Sequence, residues 1–306
     1  MLAPMQGLTN RALRSLFADR HPPDVLFTEL VRVRPKSKKS VADSDRPEFA
    51  AAAGTVPLVV QLIGRDKPAL LAAAATAQDL GARHININLG CPFGRMTGHS
   101  AGGALLKDPA GIPPLLAGLR ATVAGSFSVK LRTGYDDPEQ IFSLLPMLED
   151  AGVDFLILHA RTVVQRYEGA ADHRITARVV AATRLPVIAN GDIRNRADAV
   201  AVRELTGAAG LMIGRGAISD PWIFARIRGE QPAAPDPAQR QAELRVYLGE
   251  LASRYRLLFC GERQVLCKLK AVLSHIDGDE MEGWLRKMKR ADRLDEWYRH
   301  LGCEPR

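Results

Sequence analysis

Eight short apolar runs, each followed by a stretch of helical character, constrain this chain more than any other feature in it. The runs cover residues 2–5, 25–31, 57–64, 84–90, 127–132, 154–159, 186–191 and 210–216. Between them, apolar residues recur at helical spacing. Thr9 or Asn10 can cap a helix through Leu13, Leu16 and Phe17, and further helices read at 67–80, 138–151, 173–183, 195–204 and 220–228. Strands that are apolar on both faces are what a parallel sheet covered by helices requires. Eight such units over about 230 residues fit a closed (β/α)8 TIM barrel. An open doubly wound sheet fits less well, because no Gly-x-Gly-x-x-Gly follows the first run.

The expected architecture is therefore α/β: a TIM-barrel domain over 1–230, a linker over 231–239, and a helical domain over 240–306. Pro232, Pro235 and Pro237 mark the linker. Leu244, Tyr247, Leu248 and Leu251, then Val265, Leu269 and Leu273, then Trp284, Met288 and Leu294 fall at helical spacing.

Composition excludes several classes. No apolar run is long enough to cross a bilayer, and the N-terminus lacks the features of a signal peptide. Cys91, Cys260, Cys267 and Cys303 lie far apart without paired-ligand spacing. Reduced thiols, a cytoplasmic location and no metal site are expected. The formal net charge of +8 is compatible with a nucleic-acid partner.

In a barrel of this kind the reactive residues sit at the C-terminal ends of the strands. Polar residues gather there: Gln61, Asn88 with Cys91, Lys130 with Arg132, His159 with Arg161, Asn190-Gly191-Asp192, and Gly214-Arg215-Gly216. Cys91 follows a run in which Ile85, Ile87 and Leu89 alternate with Asn86 and Asn88. It reads either as a small buried cysteine or as a reactive thiol at a strand exit. The glycines after the seventh and eighth runs suit a phosphate held by backbone N–H groups, with Arg215 adding charge. Lys130 can stabilise negative charge, or it can pair with Asp136 or Asp137. His159 is a hydrogen-bond partner for a ligand or a structural histidine. Basic residues cluster at Arg32, Arg34, Lys36, Lys38 and Lys39, at Arg263, Lys268 and Lys270, and at Arg286, Lys287, Lys289 and Arg290. They read as solvated faces or as contacts for a polyanion.

These stretches together resemble the flavin-dependent tRNA-dihydrouridine synthases. The matching segments are Ala3-Pro4-Met5, Thr28-Glu29-Leu30-Val31-Arg32, Val60-Gln61-Leu62, Asn88-Leu89-Gly90-Cys91-Pro92 and Ala101-Gly102-Gly103-Ala104-Leu105-Leu106. They continue with Val129-Lys130-Leu131-Arg132, His159-Ala160-Arg161-Thr162, Asn190-Gly191-Asp192-Ile193 and Gly214-Arg215-Gly216. Residues 28–33 and Lys268-Leu269-Lys270 are most similar to the C-type branch, which modifies uridine 16 of the tRNA D-loop.

The resemblance implies FMN in the barrel, NADPH as reductant, and reduction of the C5=C6 bond of a uracil. It implies hydride delivery from N5 of reduced FMN to C6, and a proton from Cys91 to C5. FMN contacts are implied at Pro4, Met5, Gln6, Gln61, Lys130 and His159, with the phosphate at Asn190, Gly191, Asp192, Gly214 and Arg215. Substrate contacts are implied at Arg32, Asn88, Arg161, Tyr167, Lys268, Lys270 and Lys289. The target uridine must leave its stack to react. The partner is tRNA, and a monomer is expected.

The chain departs from the family in its 93–99 loop, which lacks the usual Lys-x-Val-Asn and carries His99. Two rival readings are a flavin barrel reductase acting on a small molecule and a non-catalytic tRNA-binding barrel. The first leaves the helical domain and basic clusters without a role.

Overall fold

The computed structural model describes residues 1–35, 40–50, 56–93 and 101–302. Lys36, Lys38 and Lys39, and His99 with residues 94–98, lie outside the described residues. The strands are β1 (Leu26–Phe27), β2 (Val31–Arg32), β3 (Leu58–Ile63), β4 (His84–Leu89), β5 (Ser126–Arg132), β6 (Phe155–His159), β7 (Val187–Asn190) and β8 (Gly210–Met212). All pairings are parallel, in the order β1-β3-β4-β5-β6-β7-β8, with β2 also on β3.

Residues 1–3 close the ring. Ala3 N–H donates to Ile213 O at 2.8 Å, Ile213 N–H to Met1 O at 3.0 Å, and Leu2 N–H to Val25 O at 3.0 Å. The first expected strand is thus reduced to one bridge, Leu2 to Ile213. The second is split in two. At Thr28 the side-chain Oγ1, in place of a backbone carbonyl, accepts the Gln61 N–H at 3.0 Å, and the regular ladder stops there.

Register then stacks the interior in layers. Neighbours in a parallel register lie on the same face. Gln61, Asn86 and Ser128 form one layer. Asn88, Lys130, Ile157 and Ile188 form the next, toward the strand ends. Arg132, His159, Asn190 and Met212 form the uppermost. Ala3, Phe27 and Val59 pack with Ile157, Ile188 and Met212 of these layers in a small apolar cluster. The barrel is therefore filled at its floor and polar at its mouth.

The helices outside follow the expected pattern with additions at Arg46–Ala50 and Ile112–Thr122, and the eighth run, expected as strand to 216, ends at Met212 and turns into the helix Arg215–Ser219. Asn10 caps Arg11–Arg20 through the N–H groups of Ala12 and Leu13. The helix Ile112–Thr122 between β4 and β5 is absent from the sequence reading. Pro113, Pro114 and Gly118 obscure its periodicity, although Ile112, Leu115, Leu116 and Leu119 are buried along it.

The C-terminal part is built from Pro237–Leu258, Glu262–Leu273, Glu282–Arg290 and Leu294–Leu301. Pro237 opens its first helix, where a missing N–H costs nothing, and Asp236 accepts the Gln239 N–H. Residues 237–239, expected in the linker, therefore belong to the helix. This helical part shares one apolar core with the barrel: Leu13, Leu16, Phe17, Ile223 and Phe224 pack with Leu244, Tyr247, Leu248 and Leu251. Phe17 meets Phe224 and Tyr247 edge-on at 6.1 and 6.4 Å. Arg226, itself buried, pairs with Asp220 at 2.9 Å and with Glu243 across the seam.

Candidate active site

The cysteine turn is built by Asn88. Its Oδ1 accepts the N–H of Gly90 at 3.0 Å and of Cys91 at 2.9 Å, and its Nδ2 donates to Gln61 Oε1 at 2.9 Å. Gln61 Nε2 donates in turn to Asn86 Oδ1, and Asn86 Nδ2 to Ser128 Oγ, both at 2.8 Å. A chain of buried amides thus anchors the turn to the barrel interior. From the other side, Gly103 N–H donates to Cys91 O at 3.0 Å. A side chain at Gly103 would meet Val163 at 2.6 Å, so only glycine lets this segment close over the cysteine.

The thiol itself makes few demands on the fold. Burial pushes its pKa up, opposed by the Phe93 N–H and by the positive charges of Arg132, Lys130 and Arg32. The outcome is a thiol held above its ordinary value, protonated at neutral pH. That is the state a proton donor needs.

Arg132 pins this edge of the mouth. Its Nε donates to Gly90 O at 3.0 Å, and its Nη1 to Thr162 O at 2.8 Å and Arg166 O at 2.6 Å. It therefore ties the cysteine turn to the 162–167 segment that carries Tyr167. The sequence names Arg132 only as a neighbour of Lys130. The Lys130-x-Arg132 alternation is the signal that both point inward.

Lys130 donates to Asn190 Oδ1 at 3.0 Å and not to Asp136 or Asp137. Burial, then Arg132, push its pKa down to about 7. His159 is buried and well below its ordinary pKa, by burial and then by Lys130, Arg132 and Arg161, so its ring is neutral. Its Nδ1 has no partner among the described residues.

Across the mouth, Gly191 (φ 128°) and Asp192 (φ 47°) both take left-handed backbone. Asp192 Oδ2 accepts from Arg161 Nη2 at 2.6 Å and from Ala171 N at 2.8 Å, and Oδ1 faces Arg215 at 3.3 Å. Burial raises this carboxyl, but the Ala171 N–H, Arg161 and Arg215 more than offset it and hold it below the ordinary range. The negative charge is therefore cancelled locally. Among the described residues nothing accepts from the Asp192 N–H, and Gly214 opens the helix Arg215–Ser219 without a side-chain cap. Such backbone donors suit an anion. His173, absent from the sequence reading, supports the loop through Nε2···O of Gly191 at 2.9 Å.

The remaining expected residues divide sharply. Met5 reaches the same loop, since a side chain at Gly214 would meet Met5 Sδ at 3.3 Å. Pro4 is half-buried beside it and Gln6 is exposed. Tyr167 stands at the rim, half exposed, with Arg132 and Arg215 guanidiniums 5.5 and 5.2 Å from its ring. Arg161 is buried, spent on Asp192 and on Gly169 O at 2.5 Å; only Nη1 has no described partner. Arg32 is exposed at the end of β2. Lys268 reaches the mouth, where Nζ donates to Gly7 O at 3.4 Å. Lys270, two residues on, faces away and pairs with Asp292 at 3.5 Å. Lys289 is exposed on Glu282–Arg290. Among the described residues no cluster of three or more His, Cys, Asp or Glu can hold a metal, and no helix is long and apolar enough to cross a membrane.

Solved structures define the class. The fold matches histamine dehydrogenase from Rhizobium sp. 4-9 with a TM-score of 0.56 at 12% identity, over 80% of this chain and 46% of that one. It matches a variant of NCR from Zymomonas mobilis with a TM-score of 0.55 at 18% identity, over 78% and 89%. The chain spans about half the length of the first and most of the second. The molecule thus belongs to the class of TIM-barrel folds.

Within that class, the profile described as Dihydrouridine synthase (Dus) matches residues 1–295, and the chain belongs to this family. The tRNA-dihydrouridine(16) synthase of Cupriavidus necator is 36% identical over 262 residues, covering 83% of this chain and 81% of its own. That of Ralstonia nicotianae is 32% identical over 298 residues, covering 95% and 86%. The tRNA-dihydrouridine synthase B of Vibrio cholerae is 36% identical over 229 residues, covering 74% and 70%.

Proposed function

We propose that this protein reduces uridine 16 of the tRNA D-loop to dihydrouridine, with FMN as its cofactor and NADPH as reductant. The observation that carries the reading is the geometry of the barrel mouth, where Asn88 fixes the Cys91 turn at one strand end and several polar groups at the other strand ends have no partner among the described residues. They and their neighbours fit a flavin with its phosphate: the orphaned His159 Nδ1, the poised Lys130, and the open backbone at Asp192 and Gly214. Pro4, Met5, Gln6, Gln61, Lys130 and His159 would hold the ring system, and Asn190, Gly191, Asp192, Gly214 and Arg215 the phosphate.

Bound flavin supplies hydride to C6 of the uracil. The chain supplies the rest. Cys91 delivers the proton to C5, so that the double bond gains one hydride and one proton. Lys130, held by Asn190, would steady negative charge on the bound group. Asn88 fixes the Cys91 backbone and keeps one amide hydrogen beyond its bond to Gln61. Of the expected tRNA contacts, Arg32, Tyr167, Lys268 and Lys289 remain proposed, with Lys268 best placed at the mouth, whereas Arg161 is taken up by Asp192 and Lys270 by Asp292.

The test is mass-spectrometric mapping of dihydrouridine in unmodified tRNA after incubation with the purified protein, FMN and NADPH. Dihydrouridine at position 16 alone supports the whole reading. Dihydrouridine elsewhere, as the similarity to a B-type relative allows, overturns the position and keeps the chemistry. None, with NADPH still oxidised, overturns the tRNA substrate in favour of a small molecule.

A further inference from the structure

The helix Arg215–Ser219 has only five residues, too few to hold its own shape, so its neighbours decide where it lies. On one side it rests against the turn that follows β7. A side chain at Gly216 would collide with Ile193 O, and Arg215 faces Asp192 at 3.3 Å. On the other side it is held by the C-terminal helices. Arg240 Nη2 donates to Ser219 Oγ at 3.3 Å and to Asp277 O at 3.0 Å. Asp220, which follows Ser219, pairs with Arg226 at 2.9 Å, and Arg226 pairs with Glu243. Arg240 and Glu243 lie three residues apart, on one face of the helix Pro237–Leu258. Ala217 and Ile218 share their apolar core with Leu244 and Ile276. One face of the C-terminal part thus backs the element on which Gly214 and Arg215 stand.

We infer that Arg240 is a positioning residue for the phosphate end of the bound cofactor: it fixes the helix Arg215–Ser219 against the turn after β7 and so sets the spacing of the Gly214–Arg215 edge from Asp192. This rests on the flavin reading above. Arg240 acts at a distance from the phosphate, since Ser219 is at the end of the helix away from Arg215. Two edges of an anion site held at a fixed spacing bind more tightly than two that must be ordered on binding, because the ordering cost is already met in the fold. A guanidinium delivers both bonds from one preorganised planar group, whereas a lysine ammonium on its flexible stem orders less. The C-terminal part therefore serves the cofactor as well as any nucleic acid.

The experiment titrates the whole chain, freed of flavin, with FMN and with riboflavin, which lacks only the phosphate, and follows the quenching of flavin fluorescence. Wild type is compared with Arg240→Met, Arg240→Lys and Ser219→Ala. Arg240→Met should raise the Kd for FMN roughly tenfold and leave that for riboflavin within about twofold, because only the phosphate end loosens. Arg240→Lys should fall between. Ser219→Ala should show a smaller loss of the same kind, and it should add nothing to Arg240→Met in the double variant. An unchanged FMN Kd in Arg240→Met overturns the inference. So does equal weakening of FMN and riboflavin, which would make Arg240 a residue of the general fold. If Arg240→Met does not fold, the ratio of the two Kd values in Arg240→Lys and Ser219→Ala decides, and an unchanged ratio in both overturns the inference. If wild type itself binds FMN no more tightly than riboflavin, the phosphate reading of the mouth has failed, and the inference falls with it.

Discussion

Two turns face each other across the barrel mouth, and they spend their polar groups in opposite ways. Both begin with asparagine at a strand end and both pass through glycine. In Asn88-Leu89-Gly90-Cys91 the asparagine oxygen consumes the backbone N–H groups of the turn, and the last side chain is left free. In Asn190-Gly191-Asp192 the side chains are consumed. Asn190 holds Lys130 and Met212 O, while Asp192 holds Arg161, Ala171 and Arg215. There the Asp192 N–H is left without a partner among the described residues. The first turn presents one reactive side chain, and the second presents a cradle of amides. Which of the two a site becomes depends on where its asparagine points.

The contrast is sharpest for chemistry at the first turn. Cys91→Ala removes a side chain that the fold does not use, so stability should change little. Turnover should fall roughly a hundred- to ten-thousandfold, as loss of a general acid predicts. Quantified dihydrouridine formation with a parallel melting curve checks both halves. With the thiol pKa raised by burial, the limb of the rate profile that belongs to Cys91 should fall only above the ordinary thiol range, separate from any loss near pH 7 as Lys130 gives up its charge, and Lys130→Arg should remove that lower limb alone.

At the second turn the outcome should reverse. Asp192→Ala strands the buried Arg161 guanidinium without its counter-charge, which should cost about 3–5 kcal/mol. Urea denaturation measures it; a loss under about 1 kcal/mol would break the comparison, because the side chain would then not be spent on the fold. Asn88→Ala leaves two turn amides and Gln61 Oε1 without partners and should cost about 1–3 kcal/mol, again read from urea midpoints. The smallest effect belongs to the lysines. Lys270→Ala removes a solvent-exposed ion pair and should shift stability by less than about 1 kcal/mol. In filter binding at low salt it should also weaken tRNA affinity less than Lys268→Ala does. Equal losses would place both on one RNA-facing surface.

The alternation of apolar runs was enough to read the barrel, because a parallel sheet buried on both faces leaves that pattern and few others do. The inward alternation of Asn86 and Asn88 was legible for the same reason. What was not legible depends on partners far away in the chain. Nothing local in Arg161 says that Asp192, 31 residues on, will claim it. Nothing in Thr28 says that its hydroxyl will replace a ladder carbonyl for Gln61. The opposed directions of Lys268 and Lys270 were available, since residues two apart on a helix do not share a face. Their basic neighbours masked that geometry.

The common core between helix Arg11–Arg20, helix Ile223–Arg228 and the C-terminal helices bears on how substrate choice can evolve. A detachable recognition module could be exchanged between relatives at its linker. Here the joint is itself interior, sealed by Phe17, Tyr247 and the buried Arg226. A chimera that exchanges only residues beyond 236 would leave mismatched surfaces on both partners. Exchange by recombination must carry the flanking barrel helices along, so the barrel and its C-terminal helices inherit one another's constraints.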